Sequence, residues 1–184
     1  MLLIALQNNK FKAGTHYLKS DIHIIVVPTP FKNNNEPDVS IVEDVARKLT
    51  SIVKEGDLII LESTSPVGTT EKVAEIIYGE RKDLKDKLYF AYCPERVLPG
   101  QIFQELKDND RVIGGINLES SNKAKLFYEK FVDGRLHLTD CRTAEMCKLV
   151  ENASRDVQIA FANELSIICK KADINVWKLI DLAN

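Results

Sequence analysis

The feature that most constrains this chain is a stretch of about 30 residues, from about Arg142 to about Lys171, that contains neither proline nor glycine. Those two residues destabilise a helix interior more than any others, so their absence over this length predicts one long α-helix. Asp140 or Thr143 can cap its start, because a short oxygen-bearing side chain accepts a hydrogen bond from the first free amides. Apolar residues occur nearly all round the predicted helix, which indicates that most of its sides are buried.

Three polar side chains share one face of this helix. Lys148, Asn152 and Arg155 follow at helical spacing, which brings an ammonium, an amide and a guanidinium to the same side. Two cations on a largely buried helix are unfavourable unless an anion meets them. One interpretation is a site for an anionic ligand, with Lys148 placed for acid–base work. The alternative is that Lys148 and Arg155 reach solvent and pair with Glu151 or Asp156.

Before the long helix, apolar β-branched runs alternate with segments of helical periodicity. The predicted strands cover 22–27, 57–62, 88–92, 111–115 and 136–138, and the predicted helices cover 39–54, 69–78, 101–106, 120–131 and 175–182, after a short helix and turn within 2–20. This alternation is typical of an α/β fold with a parallel, doubly wound sheet. The one domain boundary that the pattern indicates lies at about 139–142, between the sheet and the long helix.

Polar side chains follow three successive predicted strands, each in a loop that contains proline. They are Thr29, Thr64 and the pair Glu95-Arg96. Ligands of such sheets bind outside the carboxyl ends of the strands, so we expect these residues to converge on one rim. The alternative interpretation is that proline merely ends each strand.

Composition excludes some classes of function. A net charge of −2 argues against a general nucleic-acid surface. The four cysteines show no metal-binding spacing and no disulfide framework, and those on or beside the long helix are expected to be buried free thiols. The apolar opening, Met-Leu-Leu-Ile-Ala-Leu, is too short to span a membrane and lacks the basic start of a signal peptide, so we expect a cytoplasmic protein.

Three stretches in order carry a family resemblance. They are Glu62-Ser-Thr-Ser-Pro-Val-Gly68, Cys93-Pro-Glu-Arg-Val-Leu-Pro-Gly100 and the run Thr143–Glu164. Together they resemble the UDP-glucose/GDP-mannose dehydrogenase family. The resemblance implies a two-step oxidation of a UDP-sugar alcohol to a carboxylate with two NAD. The Pro-Glu-Arg-Val-x-Pro-Gly form points to members that oxidise UDP-N-acetyl-D-mannosamine, with UDP-N-acetylglucosamine or another UDP-hexose as the alternative.

The same resemblance implies which residues take part in the chemistry. Lys148 matches the family lysine at the reacting centre, where it acts as a general acid/base or stabilises the developing oxyanion. Asn152 matches the amide beside it. Glu95 matches a carboxylate that serves in hydrolysis of the intermediate, and Thr64 matches a position near the cofactor that can also hold a water.

Other matching positions are implied in binding. Arg96, the backbone of Val97 and Arg155 match positions that hold the sugar nucleotide, together with Lys148 and Asn152 above, and guanidinium groups suit phosphate. Thr29 matches a position near the cofactor, as Thr64 does. The long helix over 142–171 matches the part of the family that forms a homodimer.

Two departures from the family pattern are as informative as the matches. The dinucleotide-binding run Gly-x-Gly-x-x-Gly is absent, although its glycines bring the backbone to the pyrophosphate. The Gly-x-Cys context of the family's catalytic cysteine is absent as well, so the second oxidation has no nucleophile here.

These departures predict a central fragment. We expect 1–140 to form a partial NAD-binding Rossmann-like domain without its glycine-rich part. Residues 141–184 would begin a central helical dimerisation domain, without the UDP-sugar domain that follows in the family. The alternative function is a non-catalytic assembly module that associates with itself through 142–171.

Overall fold

A computed structural model of the chain describes residue 8, residues 11–97 and residues 100–183. Most of the helix expected within 2–20 lies outside these ranges, and the described part, 11–20, contains no helix. None of the described helices combines the length and the hydropathy that crossing a membrane requires.

Strands and helices alternate in the described residues as the sequence predicts, which confirms the α/β class. The strands are β1 (Ile22–Ile25), β2 (Leu58–Leu61), β3 (Tyr89–Tyr92), β4 (Arg111–Gly115) and β5 (Leu136–Asp140). The described helices are α1 (Ser40–Leu49), α2 (Thr69–Glu80), α3 (Ile102–Asp108), α4 (Leu118–Tyr128), α5 (Cys141–Lys171) and α6 (Val176–Ala183), with a 3₁₀ turn at Lys82–Leu84.

The five strands form one sheet in the order β1-β2-β3-β4-β5, and one strand pair corrects the sequence prediction. Strands β1, β2 and β3 are parallel, as are β4 and β5, but β4 runs antiparallel to β3. The expectation of a wholly parallel sheet is therefore wrong. A parallel crossover needs a helix that packs on the sheet, whereas α3, which connects β3 to β4, buries none of its residues.

Strand β4 overlaps β3 by two residues only. Ala91 pairs with Gly115 and Tyr92 pairs with Gly114, so Arg111 at the start of β4 lies beyond the carboxyl end of β3. This offset extends the sheet past that end. It places the β4 side chains beside the loop that follows β3.

The core lies on both faces of the sheet. All four residues of β2 are at most 1% exposed, as expected for a strand covered on both sides. On one face Ile59, Leu61 and Phe90 pack against α1 and α2, and on the other Leu58 and Ile60 pack against α4. The loops at the carboxyl ends of β1–β3 are thus held by a well-packed base.

The long helix forms as predicted, over Cys141–Lys171. Asp140 caps it, because its Oδ1 accepts a hydrogen bond from the Thr143 amide at 2.9 Å. The expectation that most of its sides are buried is wrong. Its first turns lie on the sheet, but beyond Glu151 the described residues offer it little to pack against, and Val157 and Phe161 are each 68% exposed.

Candidate active site

The loops that follow β1 and β2 are joined by hydrogen bonds at the carboxyl rim of the sheet. The Thr29 hydroxyl donates to the Thr64 carbonyl at 2.6 Å, and both residues are half-buried. One residue earlier in the second loop, Ser63 Oγ accepts from the Val27 amide at 2.8 Å. The two predicted cofactor residues therefore lie together, as expected if adjacent parallel strands end on one edge.

Lys148 reaches the loop that follows β3. Its ammonium donates to the Glu95 carbonyl at 2.7 Å, and its side chain is half-buried. The Glu95 carboxylate turns back on its own loop, where Oε1 accepts from the amides of Arg96 and Val97 at 2.7 and 2.9 Å. The structure thus brings the predicted catalytic lysine to the predicted carboxylate through that residue's backbone. A substrate group entering here would meet the ammonium, while the Glu95 carboxylate is held by its own backbone amides.

Arg96 has a partner that the sequence reasoning did not assign. Its Nε and Nη2 donate to the Glu151 carboxylate, each at 3.2 Å. The pairing of Lys148 or Arg155 with Glu151, which the alternative interpretation allowed, is not found among the described residues, where Glu151 binds Arg96 instead. Helical spacing places Glu151 near Lys148, three residues earlier on the same helix. Nothing in the sequence indicates a contact with Arg96, which lies 55 positions earlier.

Asn152 and Arg155 lie further along α5, on its exposed part. Arg155 lines a shallow polar cavity of about 320 Å³ together with Arg96, Asp110 and Glu151. In the described residues Asn152 makes no side-chain hydrogen bond, and Arg155 makes neither a hydrogen bond nor an ion pair. The structure therefore gathers Lys148 and Arg96 at the loop, while Asn152 and Arg155 face open space on the same helix.

A larger cavity of about 700 Å³ lies beside Lys148, between α5 and the loops after β2 and β3. Most of its lining is apolar and includes Val67, Pro94 and Met146, while Arg96 and Lys148 add positive charge. Small-molecule sites are typically of this size, with apolar walls and a few placed polar groups. The cavity can hold part of a polar ligand against the ammonium.

A buried polar cluster beneath the loop after β3 was missed by the sequence reasoning. The Tyr128 hydroxyl donates to Glu62 Oε1 at 2.6 Å, and the Arg111 guanidinium lies 5.4 Å from the Tyr128 ring centre. Arg111 is 4% exposed, and its Nη2 is 3.7 Å from Glu95 Oε2. Burial raises the pKa of the Glu62 carboxyl, although the Tyr128 hydroxyl and Arg111 act in the opposite direction.

The described residues contain no cluster of three or more potential metal ligands. All four cysteines are free thiols. Of the three on or beside the long helix, Cys141 and Cys169 are buried as expected but Cys147 is exposed, and Cys93 is buried as well. Cys147 lines the cavity beside Lys148, and the opening of that cavity leaves its thiol accessible. Burial raises the pKa of the Cys93 thiol to about 11, which makes it a poor nucleophile.

The described residues fit only part of the dinucleotide that the family resemblance implies. Helix N-termini that follow strands are the usual cradle for a pyrophosphate, but at the start of α2 the amides of Gly68 and Thr70 already donate to the Glu145 carboxylate, at 2.6 and 2.8 Å. The residues at the rim fit the edge of such a site, through Thr29 and Thr64, but not its pyrophosphate cradle.

The fold and this rim define an α/β protein whose polar side chains lie at the carboxyl ends of the strands. The model of the UDP-glucose/GDP-mannose dehydrogenase family, NAD binding domain, matches residues 2–132, and the model of the family's central domain matches residues 142–184. The chain belongs to the UDP-glucose/GDP-mannose dehydrogenase family.

Relatives within the family are similar over nearly all of this chain. It is 51% identical to a UDP-N-acetyl-D-mannosamine dehydrogenase of Escherichia coli strain K12, over 98% of this chain and 45% of that protein. It is 49% identical to an NDP-N-acetyl-D-galactosaminuronic acid dehydrogenase of Ralstonia nicotianae, over 98% of this chain and 44% of that protein. The chain therefore spans less than half the length of these curated relatives.

Solved structures agree with the fold. The UDP-N-acetyl-mannosamine dehydrogenase Cap5O of Staphylococcus aureus superposes with a TM-score of 0.87 at 40% identity, over 98% of this chain and 45% of that one. A UDP-D-ManNAc dehydrogenase of Pyrococcus horikoshii gives a TM-score of 0.86 at 43% identity, over 91% of this chain and 40% of that one.

Proposed function

We propose that this chain carries the acid–base and sugar-binding residues of an NAD-dependent dehydrogenase that oxidises UDP-N-acetyl-D-mannosamine to the uronic acid. Membership of the family and the similarity to the Escherichia coli protein support the class of reaction. The observation that carries the proposal is the position of Lys148, whose ammonium lies at the rim of the sheet, 2.7 Å from the Glu95 carbonyl and beside a cavity of ligand size.

The proposed roles follow from what each side chain can do. Lys148 donates hydrogen bonds to the oxygen on the reacting carbon, where negative charge develops as the alcohol proton is lost. Asn152, one turn further along α5, adds an amide donor to the same oxygen. Glu95 and Thr64 position the water for the later hydrolysis. This assignment needs Glu95 Oε1 to leave the two backbone amides that it now accepts from.

Substrate binding is proposed for the cationic side of the cavity. Arg96, the backbone of Val97 and Arg155 would contact the nucleotide phosphates, with Thr29 and Thr64 at the cofactor side of the rim. An incoming phosphate competes with the Glu151 carboxylate for Arg96. Because guanidinium groups bind phosphate in a two-pronged manner, this exchange costs little of the Arg96 hydrogen bonding.

The choice of sugar has a definite competitor. The relative from Ralstonia nicotianae, 49% identical, is named for an N-acetyl-galactosaminuronic acid product, and UDP-N-acetylglucosamine is a third N-acetylated substrate of the same form. All three present a primary alcohol next to the ring and an N-acetyl group. We place N-acetylmannosamine first because the 94–100 loop has the Pro-Glu-Arg-Val-x-Pro-Gly form.

The test is NADH formation with each of the three UDP-sugars. It is run on this chain and on a chain extended at both ends, to the length of the Escherichia coli relative, with that relative's segments. We expect activity in the extended chain, fastest with UDP-N-acetylmannosamine. Lys148→Ala should lower kcat by about 10²-fold or more, the contribution typical of a general acid or base. Lys170→Ala, on the exposed part of the same helix, should leave kcat unchanged.

Two outcomes would count against the proposal. If a folded, extended chain is inactive with all three sugars, the reaction class is wrong. If the extended Lys148→Ala and Lys170→Ala variants retain equal activity, the role of Lys148 is wrong, although the reaction class stands.

We also propose that the chain forms a homodimer through 142–171 in a cytoplasmic enzyme of surface-polysaccharide synthesis. The support is the exposed apolar surface of α5 and α6, where Val157 and Phe161 are each 68% exposed and Trp177 is 76% exposed. Light scattering should give twice the mass of the chain, and Phe161→Asp should give the single mass. A monodisperse wild-type monomer would refute both the dimer and the alternative of a self-associating assembly module.

A further inference from the structure

Glu145 is a charged residue buried completely, with 0% of its surface exposed. Its Oε2 accepts a hydrogen bond from the Gly68 amide at 2.6 Å, and its Oε1 accepts from the Thr70 amide at 2.8 Å and from the Thr70 hydroxyl at 2.7 Å. A buried carboxylate is strongly unfavourable unless such donors satisfy it. Here three donors, two of them free amides at the start of α2, replace the lost water.

These hydrogen bonds join two parts of the chain that carry proposed site residues. Gly68 and Thr70 follow the loop that contains Thr64. Glu145 precedes Lys148 by three residues on α5, so the two side chains project about one helical turn apart. A movement of α5 that shifts Lys148 must therefore also displace the Glu145 carboxylate from its donors.

The seating of α5 on the sheet follows the same geometry. Cys141, Ala144 and Glu145 are buried and Lys148 is half-buried, which is one stripe at helical spacing. Along this stripe the carboxylate makes directional contacts, while Cys141 and Ala144 make apolar contacts that tolerate small rotations. Hydrogen bonds constrain both distance and angle. Within this stripe, Glu145 is therefore the buried residue whose contacts constrain the rotation of the helix most directly.

We propose that Glu145 is a positioning residue, whose buried carboxylate fixes the rotation of α5 against the start of α2 and so holds Lys148 at the loop after β3. The proposal rests on the proposed function for its catalytic meaning. Its geometric content, the placement of Lys148, is independent of any activity. No part of it requires Glu145 to touch a substrate.

The geometric content can be measured on the 184-residue chain itself. Lysine side chains are acetylated with an N-hydroxysuccinimide ester, and the rate at each site is read by mass spectrometry. Glu145→Gln keeps the shape of the side chain but sets its NH₂ group against an amide donor. We expect Lys148 to react several-fold faster in this variant, because it leaves the Glu95 carbonyl, while Lys123 on α4 reacts at the wild-type rate.

Two matched variants separate positioning from general loss of stability. Glu71→Gln removes the exposed 2.6 Å bridge between Glu71 and Arg142, which joins the same two helices at the surface. Val42→Ala opens the core beneath α1, away from α5. We expect both variants, under native conditions, to leave the labelling rate of Lys148 unchanged.

The outcomes decide the proposal either way. A folded Glu145→Gln chain with an unchanged Lys148 rate overturns it, as does an equal acceleration in the Val42→Ala chain. If Glu145→Gln does not fold, Thr70→Val removes one of the three donors with no change of shape, and the same comparison of Lys148 rates applies. In the extended enzyme, Glu145→Gln should lower kcat with little change in KM. If Lys148→Ala proves harmless there, the proposed role of Lys148 fails, but the labelling result still tests the positioning.

Discussion

Gly114→Ala should test directly how α5 is seated on the sheet. Gly114 lies on β4 beneath the first turn of α5. A Cβ atom added there would lie 2.3 Å from the Asp140 carbonyl oxygen, 2.7 Å from the Asp140 carbonyl carbon and 2.6 Å from Ala144 Cβ. Ordinary contacts of a Cβ begin at about 3.4 Å. The start of α5 would therefore have to move by about 1 Å, and two of the three clashes are with backbone, which cannot rotate away.

The expected cost follows from this forced movement. Overpacking a well-packed interior by a methyl group usually costs about 1–3 kcal/mol, and a clash with backbone falls in the upper half of that range. The matched control is Gly79→Ala, inside α2, where an added Cβ meets no atom within 4 Å. Alanine favours a helix over glycine, so this control should stabilise the chain by about 0.5–1 kcal/mol.

The assay is urea unfolding followed by far-ultraviolet circular dichroism, with the midpoint and slope fitted for each variant. We expect the two alanine variants to shift the midpoint in opposite directions with the same slope. A Gly114→Ala chain as stable as the wild type would refute the close seating of α5 on β4. It would also remove the geometric basis for placing Lys148 at the rim.

Two further measurements probe the buried groups near the rim. Burial raises the pKa of the Glu62 carboxyl above its ordinary 4.5, so the free energy of unfolding should fall as the pH rises through this range and the carboxyl ionises. Glu62→Gln still accepts the hydrogen bond from Tyr128 but does not ionise, so urea unfolding of this variant should show a smaller fall. An unchanged pH profile would contradict the assignment to Glu62. Burial also raises the thiol pKa of Cys93 and of Cys141 to about 11 each. A thiol reagent at pH 8 should therefore modify the exposed Cys147 first and react with Cys93 and Cys141 only after unfolding. Early reaction of Cys93 would contradict its burial.

Local signals in the sequence were sufficient for most of the fold. The proline- and glycine-free stretch gave the long helix almost to the residue, and the apolar run at 57–62 gave a strand buried on both faces. The long helix and this strand could both be predicted because residues close together in the sequence determine them. The reversal of β4 was not predictable in this way, because strand direction depends on whether the connecting helix packs on the sheet. The sequence of α3 does not indicate that this helix remains exposed and does not pack on the sheet.

The candidate site was predictable in part for a similar reason. Thr29 and Thr64 follow the ends of neighbouring parallel strands, which lie together, so their contact could be predicted without knowledge of distant contacts. Arg111 and Glu145 were missed, and Glu151 was assigned to other partners than Arg96. Their partners lie far away along the chain, as when Glu145 binds Gly68 at a separation of 77 residues. The depth of burial of α5 was overestimated because apolar residues on all sides indicate contacts without showing where the partner surface is.

The reversed direction of β4 explains why Lys148 reaches the loop after β3. Strand β5 is parallel to β4 and therefore antiparallel to β3, and Asp140 at its end pairs with Gly115, at the level of Ala91 in β3. From there α5 turns back and advances in the direction of β3, so that Ala144 lies near Gly114, Lys148 reaches Glu95 and Glu151 reaches Arg96. In a wholly parallel sheet, β5 would end at the rim and the next helix would run back along the sheet, away from the loops. The antiparallel step, which looked like a departure from a regular Rossmann sheet, is what carries the cations of α5 past the carboxyl ends of the strands.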